Sequence, residues 1–281
     1  EHAAAAAAAW VPWVLWASRK AASEGSLRGT VAVAATVALG LLAGHPETFA
    51  KGVLLAAPFG LICLSGARDW RRGLVALAAG YGLGALVAGV QIVPFLEYLR
   101  QSRSFLGRTA SEVNPLFAPF ATIVTAVVPK FFGDHASGTF IPLLNRYGLA
   151  SNFCEQQVYA GVATWILAAV GAWAGRPRRT AAFFAAASVL ATLLMYGTPG
   201  VAGAARHLPL IGIAAWSRFG LVTITCAIVL AALGVERLAS SPVRPEAMRS
   251  PRQAWGPALA AAVGMALLIA NTLAWSYSSF A

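Results

Sequence analysis

Between Gly220 and Val235 no residue carries a charge, and apolar runs of this kind recur along the whole chain. A run long enough to cross about 30 Å of hydrocarbon as a helix constrains a fold more than any short motif. Lipid offers no hydrogen bonds, so every backbone N–H and C=O must be satisfied internally. The runs cover 3–17, 29–44, 48–66, 73–96, 157–174, 180–196, 217–235 and 254–275. They predict an all-α, polytopic integral membrane helical bundle of about eight apolar helices. A further stretch, 116–132, is interrupted by Pro119 and Pro129, which predicts a re-entrant segment or a short helix. Only 11% of the residues are charged, where soluble domains carry about 25%. So few charges could not cover a soluble surface, and 1–281 is read as a single transmembrane domain. Gly80, Gly82, Gly84 and Gly89 predict close helix–helix approach. Pro94 predicts a bend just before Glu97 and Arg100.

The net charge of +11 sits in short clusters between apolar runs. That pattern suits anionic lipid head groups rather than nucleic acid. Arg19, Lys20 and Arg28, then Arg68, Arg71 and Arg72, then Arg176, Arg178 and Arg179, then Arg237, Arg244, Arg249 and Arg252 fill alternate short loops. Such loops face the cytoplasm, which turns 44–50, 97–156 and 197–216 outward. Cys63 and Cys226 fall in apolar runs and Cys154 in a loop, so the cysteines suggest neither a disulfide framework nor a metal site. The chain begins at Glu1 without a Met or a signal peptide, and a fragment lacking N-terminal helices is expected.

The outward side gathers the candidate functional groups: His45, Glu47, Glu97, Arg100, Arg103, Asp134, His135, Arg146, Glu155, Arg206, His207 and Arg218. Ionisable groups at membrane depth are costly and mark functional sites by default. Each also has a plain structural reading. Glu97 with Arg100 is either an interfacial ion pair or part of a site. His45-Pro46-Glu47 either ends a helix or handles protons. Arg218 either anchors a helix end or binds an anion, and Asp134-His135 fits a solvated turn. No phosphate-binding glycine loop, helical metal-ligand pair or Gly-x-Ser-x-Gly elbow occurs in the sequence.

The segment Leu41-Leu42-Ala43-Gly44-His45-Pro46-Glu47 resembles the Gly-His-Pro motif of the bacterial YfhO membrane proteins. Gln91-Ile92-Val93-Pro94-Phe95-Leu96-Glu97 followed by Ser102-Arg103 is similar to that family's second signature. Pro129-Lys130-Phe131-Phe132-Gly133 continues the order, as do Asn152, Glu155 and Tyr159-Ala160-Gly161. Tyr196-Gly197-Thr198-Pro199, Leu208-Pro209-Leu210 and Ser217-Arg218-Phe219 complete it. The resemblance implies a GT-C-like fold and a membrane glycosyltransferase. Such an enzyme uses a polyprenyl-phosphate sugar as donor and a cell-envelope glycan or teichoic-acid-like polymer as acceptor. It places the protein in the bacterial cytoplasmic membrane among membrane lipids, multi-pass, with the polar face outward.

On this reading Arg100, Arg103, Arg218 and His45 are candidates to bind the donor phosphate. Glu155, Arg146 and Arg206 are candidates for the acceptor or sugar, and Glu47, Glu97 and Asp134 for the catalytic carboxylate. No metal ligand set is assigned, and a need for a divalent metal is left open. The family's catalytic acid is expected in an earlier outward loop, and a continuation past the last helix is also expected. A polytopic transporter or lipid flippase, and a non-catalytic membrane scaffold, stand as alternatives.

Overall fold

Four helices in this protein start where a side chain satisfies backbone groups that a helix end leaves open. The computed structural model describes residues 2–102, 116–145, 148–208, 211, 212 and 214–240. The expected sites Arg103 and Arg146 and the apolar run 254–275 lie outside the described residues. The chain divides into two compact units, Glu1–Glu112 and Val113–Ala281.

The first unit contains α1 (His2–Ala8), α2 (Val11–Glu24), α3 (Leu27–Leu42), α4 (Pro46–Cys63), α5 (Trp70–Val87) and α6 (Gly89–Gln101). The expected helix over 3–17 is split between α1 and α2. Pro12 explains the split, because in a continuous helix its ring would clash with the carbonyl of Ala8. Ser26 accepts a hydrogen bond from the Gly29 amide at 3.1 Å and starts α3. Gly44, at φ +92, lets the chain turn out of α3. Asp69 starts α5 by accepting from the amides of Arg71 and Arg72 at 3.1 and 3.2 Å.

Small residues set the helix spacing here. A Cβ on Gly80 or Gly84 of α5 would run into Val33 or Val37 of α3. Gly82 and Gly89 face open space instead, so only half of that glycine series mediates close packing. The run 73–96 is not one helix either. It turns by 72° between α5 and α6, with Ala88 ending one and starting the other. The turn lies at Ala88-Gly89, where glycine's weak helix propensity makes a break cheap; Pro94 lies within α6.

In the second unit the stretch 116–132 holds a short 3-10 helix, Phe120–Ala126, with Pro119 at its N-cap. It is followed by α7 (Phe153–Gln156), α8 (Val162–Ala174), α9 (Arg178–Met195), α10 (Pro199–Ala205) and α11 (Gly220–Ala239). A 3-10 turn, Trp216–Phe219, leads directly into α11. α8 and α11 touch backbone to backbone. A Cβ on Gly171 would overlap the carbonyl of Leu230, and one on Gly234 the carbonyl of Leu167. α9 meets α11 through Thr192 and Thr223, whose hydroxyls are 3.2 Å apart.

Three helical stretches are long and apolar enough to cross a membrane: Pro46–Gly66, Arg178–Met195 and Trp216–Ala239. The bent pair α5–α6 makes a fourth if counted as one span. The expected eight are therefore not reached among the described residues. α3, with 16 residues, and α8, with 13, are apolar but short; at 1.5 Å per residue α8 reaches only about 20 Å. The outer faces of the longer helices suit lipid, since Leu83, Leu86, Val189, Leu190 and Ile228 are all exposed. Helix hydroxyls are satisfied inside their own helix: Thr192 donates to the carbonyl of Ser188 at 2.8 Å and Thr225 to that of Leu221 at 2.8 Å.

If backbone contact holds α8 to α11, Gly171→Val should lower stability by about 2–3 kcal/mol through overpacking. Gly203→Ala, in open space, should be close to neutral. Thermal unfolding of the two variants in the same detergent distinguishes these outcomes.

Candidate functional site

The second unit folds its long 116–161 segment around a wholly buried amide. Gln156 is 0% exposed. Its Oε1 accepts from the Leu143 amide and the Ser151 hydroxyl, both at 2.8 Å, and its Nε2 donates to the carbonyl of Ile141 at 3.2 Å. Thr125, also buried, has its hydroxyl 2.9 Å from the carbonyl of Gln156 and accepts from the Val158 amide at 3.1 Å. Trp165 Nε1 donates to the carbonyl of Ala126 at 3.0 Å. This network fixes α7, and Asn152 caps α7 by accepting from the Glu155 amide at 3.0 Å.

A second anchor holds the turn before α11. Trp216 is 0% exposed and its Nε1 donates to the carbonyl of Ile211 at 2.7 Å. The Ser217 amide donates to the carbonyl of Leu116 at 2.9 Å. These two anchored segments pack together and bring Glu155 to Arg218, Nε to Oε1 at 3.3 Å. Glu155 is 16% exposed and Arg218 34%, so the pair is sheltered but reachable. Two polar atoms adjoin it in sequence. Ser217 Oγ and Gln157 Nε2 are buried without a hydrogen-bond partner. Native interiors rarely leave such atoms unsatisfied, and a bound water, ion or ligand is one way to satisfy them. Neither residue was among the expected sites. Their only signal in the sequence was adjacency to Arg218 and Glu155.

The neighbouring loop carries Asp134, which has a structural task. Lys130 Nζ lies 2.9 Å from its Oδ2, and the Ser137 amide donates to Oδ1 at 2.8 Å. The hydrogen bond from Lys130, then that from the Ser137 amide, lowers the Asp134 carboxyl to about 2. Such a carboxylate is a weak proton acceptor. Lys130 itself sits at φ +62, a left-handed conformation rare for residues with a side chain. His135 packs against the rings of Phe140 and Phe153, at 4.7 and 5.5 Å, and so ties this loop to α7. Tyr196 and Gly197 are also structural. Burial pushes the Tyr196 phenol up to about 12, with a Thr122 hydrogen bond acting the other way, and Phe117 lies against Gly197. Arg206 Nε donates to His207 Nε2 at 3.1 Å on the exposed surface.

The first unit has its own polar cluster, at the start of α4. His45 Nδ1 accepts from the Thr48 amide at 3.2 Å, so this histidine begins a helix. Glu47 stands in the first turn, where the helix dipole favours a carboxylate. Its Oε1 lies 3.0 Å from Lys51 Nζ, one turn on. Lys51 is 1% exposed. A lysine buried in an apolar helix is the group that sequence reasoning undervalued; the i,i+4 spacing from Glu47 was its visible signal. Glu97 and Arg100 are exposed on α6, and no ion pair joins them among the described residues. They belong to the first unit and Arg218 to the second. No group of three or more His, Cys, Asp or Glu able to hold a metal occurs among the described residues.

Removing Glu47 takes away the carboxylate 3.0 Å from the buried Lys51 ammonium, and loss of an ion-pair partner beside a buried charge is costly. Glu47→Ala should therefore destabilise the protein by about 3 kcal/mol, and Glu47→Ala with Lys51→Met should recover most of that loss in the same unfolding assay. The Asp134 turn should respond to acid in a defined window. Its carboxyl is lowered in the folded state, so its contribution is intact above the ordinary carboxylate range, near pH 4. That contribution is lost as pH falls toward about 2. Amide exchange at Ser137 followed from pH 5 to pH 2 should show protection fading only below pH 4, and Asp134→Asn should remove the dependence. No family model, characterised protein or solved structure matches this chain.

Proposed function

We propose that this protein is a GT-C-like membrane glycosyltransferase related to the YfhO proteins. It would transfer a sugar from a polyprenyl-phosphate donor to a cell-envelope glycan or teichoic-acid-like acceptor, at the outer face of the bacterial cytoplasmic membrane. The observation that carries this reading is the Glu155–Arg218 pair at the start of the span Trp216–Ala239, adjoined by the unpartnered Ser217 Oγ and Gln157 Nε2.

In such a transfer the bond from the sugar to the phosphate oxygen breaks, and negative charge grows on the departing lipid phosphate. A guanidinium held in place beforehand stabilises that charge, because its planar fork matches phosphate oxygens and its own charge is permanent. Glu155 orients Arg218 and offers carboxylate oxygen to an acceptor hydroxyl. Ser217 and Gln157 supply the short-range hydrogen bonding that a sugar requires. Arg100, Arg103 and His45 remain candidates for the donor, and Arg146 and Arg206 for the acceptor. The lowered carboxyl makes Asp134 a poor choice for the proton-accepting role.

A second reading, a transporter or lipid flippase, is favoured by one observation. A buried Lys51–Glu47 pair and the bent pair α5–α6 occur in the same unit, and carriers combine intramembrane charge with broken helices. In the intact protein, Arg218→Ala should lower sugar transfer by about a hundredfold or more, and Arg218→Lys should restore part of it. Ser217→Ala should lower transfer while holding or raising stability by up to about 1 kcal/mol, because it removes an unsatisfied hydroxyl. Transfer at full rate in Arg218→Ala, with protein levels matched, overturns the proposal. Substrate flux that is lost in Lys51→Met but unchanged in Arg218→Ala favours the carrier, and insensitivity of both activities leaves a non-catalytic scaffold.

A further inference from the structure

At the end of α11 remote from Arg218, the second unit has a cleft of about 390 Å³ lined by Trp173, Ala174, Arg176, Arg178 and Arg237. Three guanidinium groups from three separate places meet there: the α8–α9 connection, the first residue of α9, and the last turn of α11. Among the described residues, the lining contributes three cationic side chains, a match for the charge of a phosphate.

The arrangement is held by the fold. The glycine contacts of Gly171 and Gly234 fix α8 against α11, which sets the approach of the α8–α9 connection to Arg237. Arg178 Nη1 donates to the carbonyls of Ala172 and Trp173 at the end of α8, so this guanidinium is oriented before any ligand arrives. The first turn of α9 contains no acid and two arginines, Arg178 and Arg179. That sign opposes the helix dipole, and a bound anion would correct it. Trp173 is 67% exposed and stands at the rim, the place where indoles settle at a membrane interface. α9 and α11 both belong to candidate spans, so the cleft opens at the end of two helices that are long and apolar enough to cross the bilayer.

We propose that this cleft binds the phosphate of an anionic glycerophospholipid, with Arg176, Arg178 and Arg237 on the head group and Trp173 beside the glycerol and upper acyl region. Basic pockets between membrane helices bind anionic head groups in this way. The site lies at the opposite end of α11 from Arg218 and is independent of the proposed sugar transfer.

The test uses the full chain in nanodiscs of phosphatidylcholine with a graded fraction of phosphatidylglycerol, reading retained lipid by native mass spectrometry. Arg178 is left unchanged because it caps α8. The expected result is preferential retention of phosphatidylglycerol by the wild type. Arg176→Gln with Arg237→Gln should weaken it by roughly thirtyfold, the loss of two cationic contacts, with an unchanged unfolding temperature in pure phosphatidylcholine. Arg71→Gln with Arg72→Gln, in the basic loop of the first unit, should leave retention unaltered. An equal loss from that control would show diffuse surface attraction and overturn the site. Unaltered retention in Arg176→Gln/Arg237→Gln would also overturn it, as would competition by millimolar inorganic phosphate as effective as the lipid, since the site would then take free phosphate. An unfolding temperature that falls in pure phosphatidylcholine would show that the arginines serve packing rather than lipid.

Discussion

The cost of a polar group left without a partner in apolar surroundings governs this structure. A buried polar group with an unmade hydrogen bond costs about 1–3 kcal/mol. Gln156 answers that demand for the 141–151 loop, and Thr125 for the residues after α7. Within the helices, Thr192 and Thr225 turn their hydroxyls onto carbonyls one turn earlier. Against this background the silent Ser217 Oγ and Gln157 Nε2 stand out. They are the two buried side-chain polar atoms without a partner among the described residues, and both lie within two residues of Glu155 or Arg218 in the chain.

Charge is arranged along the helices by the same rule. α11 is free of charged residues from Gly220 to Val235, with Arg218 before that stretch and Arg237 after it. The cations sit where their long side chains can reach water or an anion, and the apolar middle is left to lipid and to neighbouring helices. Lys51 is the exception, because it is buried. It is tolerated because Glu47, one turn away, shares its environment and begins the helix from the favourable end of the dipole.

Much of the architecture was legible in the sequence. Within the described residues the apolar runs are largely helical; the Gly-His-Pro-Glu stretch was read as a helix end, and the structure adds that it also starts α4. What was not legible was where those helices stop. A long apolar run reads as continuous whether or not it bends, so the break at Ala88-Gly89 was missed and the bend was expected at Pro94. Membership of one Gly-rich run made Gly82 and Gly89 look like Gly80 and Gly84, although only the latter pair faces a neighbour. The Glu155–Arg218 pair joins residues far apart in the chain, and no local pattern announces such a partner. The converse held for Glu97 and Arg100: spacing allowed a pair, but both side chains are exposed and no pair is formed.

α8 is 13 residues long, while the stretch that includes α11 has 24. Their glycines lock them together, so they cannot slide to share the difference. A bilayer around the longer helix has about 30 Å of hydrocarbon to match, and α8 supplies about 20 Å. With the longer stretch across such a bilayer, the shorter α8 would leave a hydrophobic mismatch on its flank, which favours thin or easily deformed bilayer there.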